Sequence, residues 1–333
     1  MSQAIRYTRY GGPEVLTLDD VPIPDPGPGQ VRVAVRAAGV NGIDWKLRYG
    51  FMDRGLSSAG PAGVGVEFAG TVDALGTGSG AGDGRWSVGQ AVFGTVVSGA
   101  AATHVVADAG DLLAIPAWLS FERAAALPVA VGTAWRTLRQ LDVKEGHTLL
   151  VHAVAGGVGL VAAQLARLRG VRVVGTASPA RHDFLRELGV RPVEYGDGGD
   201  GLAERVRAVA PEGVDAVLDA SGRDVLAISV ELAGGPDRVV TIADGRAAEH
   251  GVRFSSGADS GADSGADSGA DSGADTDADG VSPAEVFAEV LPLLERGALR
   301  VPIERTFPLE RTADAHRLSE AGHLLGKIVV TVP

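Results

Sequence analysis

One stretch, residues 148–170, constrains the fold of this chain more than any other, and its sequence is TLLVHAVAGGVGLVAAQLARLRG. An apolar run opens the stretch and is followed by the glycines Gly156, Gly157 and Gly159. Apolar residues at helical spacing come next, and a second apolar run occupies residues 171–176. The order strand, glycine-rich turn, helix, strand is that of half a dinucleotide-binding βαβ unit. The sequence therefore predicts that a pyrophosphate binds the N–H groups at the start of this helix.

The glycine motif by itself is a weak signal, because the chain contains 48 glycines. In addition, Val154 occupies the position of the first glycine in the pattern G-x-G-x-x-G. A tight turn between a strand and a helix of some other α/β protein is the alternative interpretation. The context favours the dinucleotide site, because the turn follows a strand, opens a helix and precedes a second strand.

Length and composition limit the class of protein. A chain of 333 residues is long for a single hydrophobic core, so two domains are expected. No run reaches the roughly 18 apolar residues of a membrane-spanning helix. The first residues, MSQAIRYTRYGG, lack an apolar segment and a cleavage site, so we expect no secretory signal and a cytoplasmic protein. The absence of cysteine excludes disulfides, thiolate nucleophiles and Cys-ligated metal sites.

The net charge of −12 argues against a nucleic-acid partner. Much of it comes from residues 257–280, where four copies of Gly-Ala-Asp-Ser precede GADT and DADG. Alanine is the only apolar residue there, so the tract cannot bury enough surface to offset its ordering entropy. We predict a disordered acidic insertion, with a calcium site as the weaker alternative.

The first 116 residues contain short β-strand patterns separated by proline and glycine. After residue 148 the pattern changes, because apolar strands alternate with helical segments. This order predicts a barrel-like or sandwich-like β domain followed by a parallel sheet covered on both faces, which is an α/β architecture.

Residues 117–140 predict two helices, with Ser120 as N-cap of the first, Pro128 as a break, and Gly132 and Thr133 at the start of the second. A C-terminal strand at residues 327–332 is most simply added to the first domain. The predicted organisation is a discontinuous catalytic domain of residues 1–121 and 283–333, a dinucleotide-binding domain of residues 122–256, and the acidic insertion at residues 257–280.

Polar residues stand out in two places in the β-rich part. Asn41 and Asp44 directly follow a buried strand, where they either cap a helix or serve a site. Glu67 is a lone carboxylate in an apolar strand, and it is either a satisfied structural residue or a catalytic one.

The residues after the second strand of the βαβ unit favour NADPH. In NAD-selective sites an acidic residue about 20 positions past the turn binds the ribose 2′-OH. Here the corresponding residues include Ser178 and Arg181, and no carboxylate appears before Asp183. A hydroxyl and a guanidinium suit a 2′-phosphate, and the alternative is a solvent-exposed serine and arginine.

Six motifs are specific when they occur together: AAGVNGIDWKLRYG, GVEFAGTV, LSFERAAALPVAVGTAW, HAVAGGVG, GTAS with a following arginine, and GHLLGKIVVTV. With these motifs the chain resembles the medium-chain dehydrogenase/reductase superfamily, in its zinc-free quinone oxidoreductase (zeta-crystallin-like) branch. The resemblance covers nearly the whole chain apart from the acidic tract. It implies a GroES-like β-barrel catalytic domain and a Rossmann domain with a doubly wound parallel sheet, with the cofactor in the cleft between them.

The resemblance also implies which residues bind the cofactor. Asn41 and Thr133 line the nicotinamide end, Ala243 ends the strand beside it, and Ala220 also belongs to the set. The pyrophosphate is held by Gly156, Gly157, Val158 and Gly159, with Ala155 as a further cofactor-binding residue, and the adenosine 2′-phosphate is held by Ser178, Arg181 and Tyr195.

Two departures from related sequences narrow the chemistry. Val66 occupies the histidine of the Gly-His-Glu motif of zinc-dependent relatives, which together with the missing cysteines argues against a zinc alcohol dehydrogenase. Trp45 stands where the family often has a tyrosine, and this weakens an enoyl-reductase interpretation, although Tyr49 is nearby.

The resulting hypothesis is direct, metal-free hydride transfer from NADPH to a quinone or an α,β-unsaturated carbonyl. Asn41, Lys46 or Tyr49 is expected to polarise the acceptor oxygen. The alternatives are an enoyl-thioester reductase and an NADPH-binding protein without turnover. We expect a small-molecule acceptor as partner, no nucleic acid and no membrane, and a homodimer formed, by resemblance, through an edge strand at residues 251–254.

Overall fold

The structure is a computed structural model that describes residues 1–51, 60–78, 85–196, 201–256 and 281–333. The acidic insertion predicted at residues 257–280 lies outside the described residues. Within the described part, no helix combines the length and the apolar character that crossing a membrane requires.

Strands from both ends of the chain build the β-rich unit. The long third strand is its centre, since Val31, Val33 and Val35 alternate toward the interior and are almost fully buried. One sheet has the order β15-β16-β3-β5-β6-β8, with β7 also paired to β3, and a small sheet has the order β2-β1-β4. The strands are β1 (Ser2–Tyr7), β2 (Thr17–Val21), β3 (Gln30–Val40), β4 (Ala62–Gly63), β5 (Glu67–Leu75), β6 (Ala91–Thr95), β7 (His104–Asp108), β8 (Leu112–Ala114), β15 (Ile303–Pro308) and β16 (Lys327–Thr331).

The other unit contains a parallel sheet with the order β11-β10-β9-β12-β13-β14. Counted from β9, this is the 3-2-1-4-5-6 order of a Rossmann fold, in which a dinucleotide binds at the carboxyl ends of the strands where the order reverses. The predicted α/β fold class is therefore confirmed. The strands are β9 (Thr148–His152), β10 (Arg172–Thr176), β11 (Arg191–Val193), β12 (Ala216–Asp219), β13 (Val239–Thr241) and β14 (Arg253–Phe254).

One helix start differs from the prediction. The second helix of the 117–140 segment begins at Pro128 and not at Gly132, because proline is favourable at the first helical position, where no N–H partner is needed. Ser120 caps the preceding helix as predicted, and its Oγ accepts a hydrogen bond from Arg123 N at 3.3 Å. The described helices are α1 (Gly42–Tyr49), α2 (Phe121–Ala125), α3 (Pro128–Gln140), α4 (Gly157–Leu168), α5 (His182–Glu187), α6 (Leu202–Val209), α7 (Leu226–Ala233), α8 (Pro283–Glu295) and α9 (Thr312–Ala321).

Helix α8 lies between the two units. Its Phe287 ring packs edge-on against Phe93 of β6, with ring centroids 5.1 Å apart. The same helix contacts α3, and its buried side chains join the core that surrounds β9. Because α8 contacts both units, these contacts do not assign it to one of them, and the predicted start of the second catalytic-domain segment at residue 283 stays a prediction. The C-terminal strand β16 pairs antiparallel with β3, with Val329 opposite Gly39, and so belongs to the β-rich unit.

Candidate active site

The turn after β9 has the shape that a dinucleotide site needs. Ala153 adopts a left-handed backbone conformation with φ of 56°, which makes the turn tight. Val154 is fully buried and packs against Gly175, where no side chain would fit. Its side chain therefore fills the interior behind the turn, which explains why a valine is tolerated at this position of the motif.

Helix α4 starts directly at this turn. Gly156 is its N-cap and provides no side-chain cap for the first N–H groups of the helix. A Cβ on Gly159 would lie 2.6 Å from the carbonyl oxygen of Ala153, so the helix can approach the strand this closely only with glycine there. Backbone N–H groups without a cap, at the N-terminus of a buried helix, fit a pyrophosphate.

The β-rich unit supports the turn from the other side. Gly326 N donates a hydrogen bond of 2.8 Å to the carbonyl of Ala155, and Gly156 and Gly326 form a parallel bridge. A Cβ on Gly157 would lie 2.6 Å from Cδ of Lys327. The aliphatic part of the lysine therefore packs directly against the glycine turn.

Behind the turn, Lys327 ends in a buried polar cluster with Glu67 and Asn41. Glu67 is fully buried, and its Oε1 accepts hydrogen bonds from Lys327 Nζ at 2.6 Å and Asn41 Nδ2 at 2.8 Å. Its Oε2 accepts one from Val129 N at 2.8 Å. Lys327 Nζ also donates to Asn41 Oδ1. Of the two interpretations of Glu67, the satisfied structural residue is supported. Lys327 was not among the predicted site residues, although a lysine that opens the apolar run IVV is a detectable signal.

Asp44 lies close to this cluster and is a buried acid with a raised pKa. Its Oδ2 accepts a hydrogen bond of 2.7 Å from Asn41 N, which is the capping role considered for it, while the buried Oδ1 has no hydrogen-bond partner. Burial, assisted by the charge of Glu67, raises the pKa of Asp44 to about 7, against the opposing effects of the Asn41 hydrogen bond and of Lys327.

The predicted catalytic candidates on α1 separate in space. Lys46 Nζ donates a hydrogen bond of 2.9 Å to the carbonyl of Ala243, at the carboxyl end of β13. Burial lowers the pKa of Lys46, while Asp219 and Asp244 act against this shift. Tyr49 instead is exposed, with its hydroxyl 3.5 Å from Glu320 Oε2. The structure thus brings Lys46, but not Tyr49, to the carboxyl ends of the parallel strands.

The residues predicted for the adenosine end are partly brought together. Arg181 Nη2 donates to Glu304 Oε1 at 3.1 Å and to the carbonyl of His323 at 3.0 Å. The ring centroids of His323 and Tyr195 are 6.2 Å apart. Ser178 precedes the short helical turn that carries Arg181. Glu304 and His323 were not predicted, because nothing in their local sequence places them beside Arg181.

Thr133 and Ala220, the remaining predicted cofactor residues, lie next to parts of this site. Thr133 is on α3, one turn beyond Val129, whose N–H binds Glu67. Ala220 follows β12, and its N–H donates to the carbonyl of His152 at 3.3 Å. Among the residues that the structure describes, no three His, Asp or Glu side chains are grouped so that they could hold a metal ion.

Comparison with known proteins agrees with this architecture. Residues 27–117 match a family model described as an alcohol dehydrogenase GroES-like domain, and residues 197–330 match one described as a zinc-binding dehydrogenase. The quinone oxidoreductase of Pseudomonas aeruginosa is 33% identical over 337 residues, which cover 99% of each protein. The polyketide synthase component PikAII of Streptomyces venezuelae is 37% identical over 315 residues; these cover 93% of this chain but only 8% of that relative.

Among solved structures, the Escherichia coli quinone oxidoreductase complexed with NADPH is similar with a TM-score of 0.79 and 25% identity, and the similarity covers 99% of both chains. The near-complete coverage of two quinone oxidoreductases agrees with the barrel, the Rossmann sheet and the glycine turn. The chain belongs to the medium-chain dehydrogenase/reductase superfamily, in its quinone oxidoreductase branch.

Proposed function

We propose that this protein is an NADPH-dependent, metal-free oxidoreductase that transfers hydride to a quinone or an α,β-unsaturated carbonyl. One observation carries the proposal: the uncapped glycine turn at the start of α4 packs against Lys327, which extends from the β-rich unit. Such a turn fits a dinucleotide between the two units. The similar Escherichia coli enzyme, which was solved with NADPH, supports this choice of cofactor.

The chain's own residues would hold and orient the cofactor, and NADPH supplies the hydride when it is bound. The turn residues Ala155, Gly156, Gly157, Val158 and Gly159 would hold the pyrophosphate. Ser178, Arg181 and Tyr195 would bind the 2′-phosphate, and Asn41, Thr133, Ala220 and Ala243 would line the nicotinamide end.

The side chains at the nicotinamide end do not suit a metal. Val66 has no ligating atom, and Glu67 is already bound by an ammonium, an amide and a backbone N–H. A cation would have to displace Lys327 from a buried ion pair. We therefore propose that the reaction needs no metal, even though the matching C-terminal family model is described as zinc-binding.

Lys46 is the best candidate to polarise the acceptor oxygen. Its Nζ lies at the carboxyl end of β13, and an ammonium has further donors besides the one used by Ala243. Asn41 is held in the buried cluster, and the Tyr49 hydroxyl lies near Glu320. The reduced acceptor would take its proton from water.

The test is to mix the purified protein with NADPH and a panel of quinones and enones, and to follow the loss of NADPH absorbance. We expect oxidation with at least one acceptor. If NADPH binds tightly but no acceptor of any class is reduced, the protein is a binding protein without turnover and the enzymatic proposal is wrong.

A second candidate activity is the reduction of enoyl thioesters. The 37% identity with part of a polyketide synthase favours it, because polyketide chains are handled as thioesters. Activity on enoyl thioesters but not on quinones would decide for this candidate.

We also propose a homodimer in the cytoplasm. Among the residues that the structure describes, strand β14 lies at the edge of the parallel sheet, and its Phe254 is partly exposed. An unpaired edge offers free N–H and C=O groups to a second copy. Light scattering coupled to size-exclusion chromatography should report twice the mass of the chain, and a monomer would contradict the proposal.

A further inference from the structure

Arg181 has a carboxylate partner that comes from a distant strand. Its Nη2 lies 3.1 and 3.3 Å from the two oxygens of Glu304, which is 123 positions later in the chain. The pairing of β15 with β16 is irregular at this point, since Ile303 lies opposite Lys327 and Arg305 opposite Ile328. Glu304 is therefore left between the paired positions, and such an irregularity redirects a side chain.

Glu304 also binds the loop of residues 323–326, which lies beside the proposed cofactor site. Its Oε2 accepts a hydrogen bond of 3.0 Å from Leu325 N. The next residue, Gly326, contacts the glycine turn, while His323 contacts Arg181 and Tyr195. One carboxylate thus connects the proposed 2′-phosphate residues with the rim of the pyrophosphate turn.

The ion pair remains accessible from solvent. The side chains of Arg181 and Glu304 are 26% and 28% exposed. A charged group of a ligand can therefore reach the guanidinium without unfolding the site, and it would then lie close to the carboxylate.

We propose that Glu304 sets the preference between NADPH and NADH by competing with the 2′-phosphate for Arg181. The inference rests on the proposed function, because it assumes that Arg181 faces the adenosine ribose. A 2′-phosphate is attracted by Arg181 but repelled by Glu304. The 2′-hydroxyl of NADH has no charge to repel, and it can donate a hydrogen bond to the carboxylate. Glu304 therefore reduces the preference in affinity for NADPH over NADH that Arg181 alone would provide.

The test compares Glu304→Gln with the wild-type protein by titration with NADPH and with NADH. Glutamine keeps an oxygen that accepts hydrogen bonds from Arg181 and Leu325, but it removes the negative charge. We expect the Kd for NADPH to fall roughly 10-fold and the Kd for NADH to stay the same or rise. Glu310→Gln removes an exposed charge from the turn that follows β15 and is the matched control, for which both constants should be unchanged.

A double-variant comparison shows whether the effect passes through Arg181. In an Arg181→Ala background with an unchanged melting temperature, Glu304→Gln should improve the ratio of NADPH to NADH affinity much less, because the cation for which the two groups compete is gone. An unchanged or weaker NADPH affinity in Glu304→Gln overturns the inference while the proposed function stands, provided that the wild type binds NADPH. If the wild type binds neither nucleotide, the proposed function and the inference are both wrong.

Discussion

Lys327 Nζ lies 2.6 Å from Glu67 Oε1, although the two residues are 260 positions apart in the chain. Both side chains are buried, and the same lysine packs its aliphatic part against Gly157 of the glycine turn. The ion pair therefore joins the first residue of the C-terminal strand β16 to strand β5 and to the proposed pyrophosphate site. Its integrity should affect both folding and cofactor binding.

Lys327→Met should destabilise the protein strongly. Methionine keeps the apolar packing on Gly157 but leaves the carboxylate of Glu67 buried without its counter-charge. Breaking a buried pair in this way costs about 3–5 kcal/mol. Urea unfolding measures the loss. The double variant Glu67→Gln, Lys327→Met should recover part of it, because the uncompensated charge is gone, and additive losses would contradict a direct coupling.

Gly159→Ala should weaken NADPH binding and lower stability. The added methyl group would lie 2.6 Å from the carbonyl oxygen of Ala153, a backbone atom that can move only with the turn itself. Overpacking of this kind costs about 1–3 kcal/mol. The control is Gly132→Ala inside α3, where a Cβ meets no atom within 4 Å. Helix propensity predicts a gain of about 0.5–1 kcal/mol for the control. Equal thermal unfolding of the two variants would show that the turn is not sterically restricted.

Asp44 should make stability depend on pH. Its folded pKa of about 7 is above the ordinary value of 3.8, so between these values the unfolded chain loses a proton that the folded protein retains. The free energy of unfolding contributed by Asp44 is therefore fully present below about pH 4 and is lost as the pH rises to 7, by up to about 4 kcal/mol.

Asp44→Asn isolates this contribution. Burial lowers the pKa of His152 to about 4 and that of His316 to about 3. Both shifts change stability in the direction opposite to that of Asp44, so the raw pH profile mixes the three groups. The difference between the wild type and Asp44→Asn removes the contributions of both histidines. We expect the wild type to lose stability relative to the variant from pH 4 to 7 in denaturant titrations. Parallel profiles would mean that Asp44 titrates normally.

Lys46→Met should lower kcat with every accepted substrate, roughly 100-fold if its ammonium stabilises charge that develops on the acceptor oxygen. The KM for the acceptor should change less than kcat. Lys144→Met is the control, because Lys144 pairs with Asp142 on the surface and should leave turnover unchanged. A rise in KM alone would assign Lys46 to acceptor binding, and unchanged kinetics would exclude it from the reaction.

Much of the fold can be predicted from local sequence patterns. The apolar pattern of residues 148–176 predicts the strand, the helix and the second strand that the structure shows as β9, α4 and β10. Such elements depend on neighbouring residues, which the sequence displays directly. The start of α3 differs from the prediction for a specific reason. The sequence pattern predicts a break at Pro128, whereas proline is favourable at the first position of a helix.

The partners of the site residues were much less predictable. Val154 departs from the glycine motif, and only the packing against Gly175 shows that its side chain faces the interior. The environment of Asp44 on helix α1 likewise depends on Glu67 of β5 and Lys327 of β16, which are distant from it in the chain.

By itself, the sequence determined the two kinds of architecture and the position of the dinucleotide turn, because these arise from periodicity and from glycines close together in the chain. Only the tertiary structure decided that Lys327 completes the cluster of Glu67, that Lys46 rather than Tyr49 reaches Ala243, and that Glu304 holds Arg181. Burial and long-range pairing set the partners and the direction of these side chains, and neither is encoded in a local pattern.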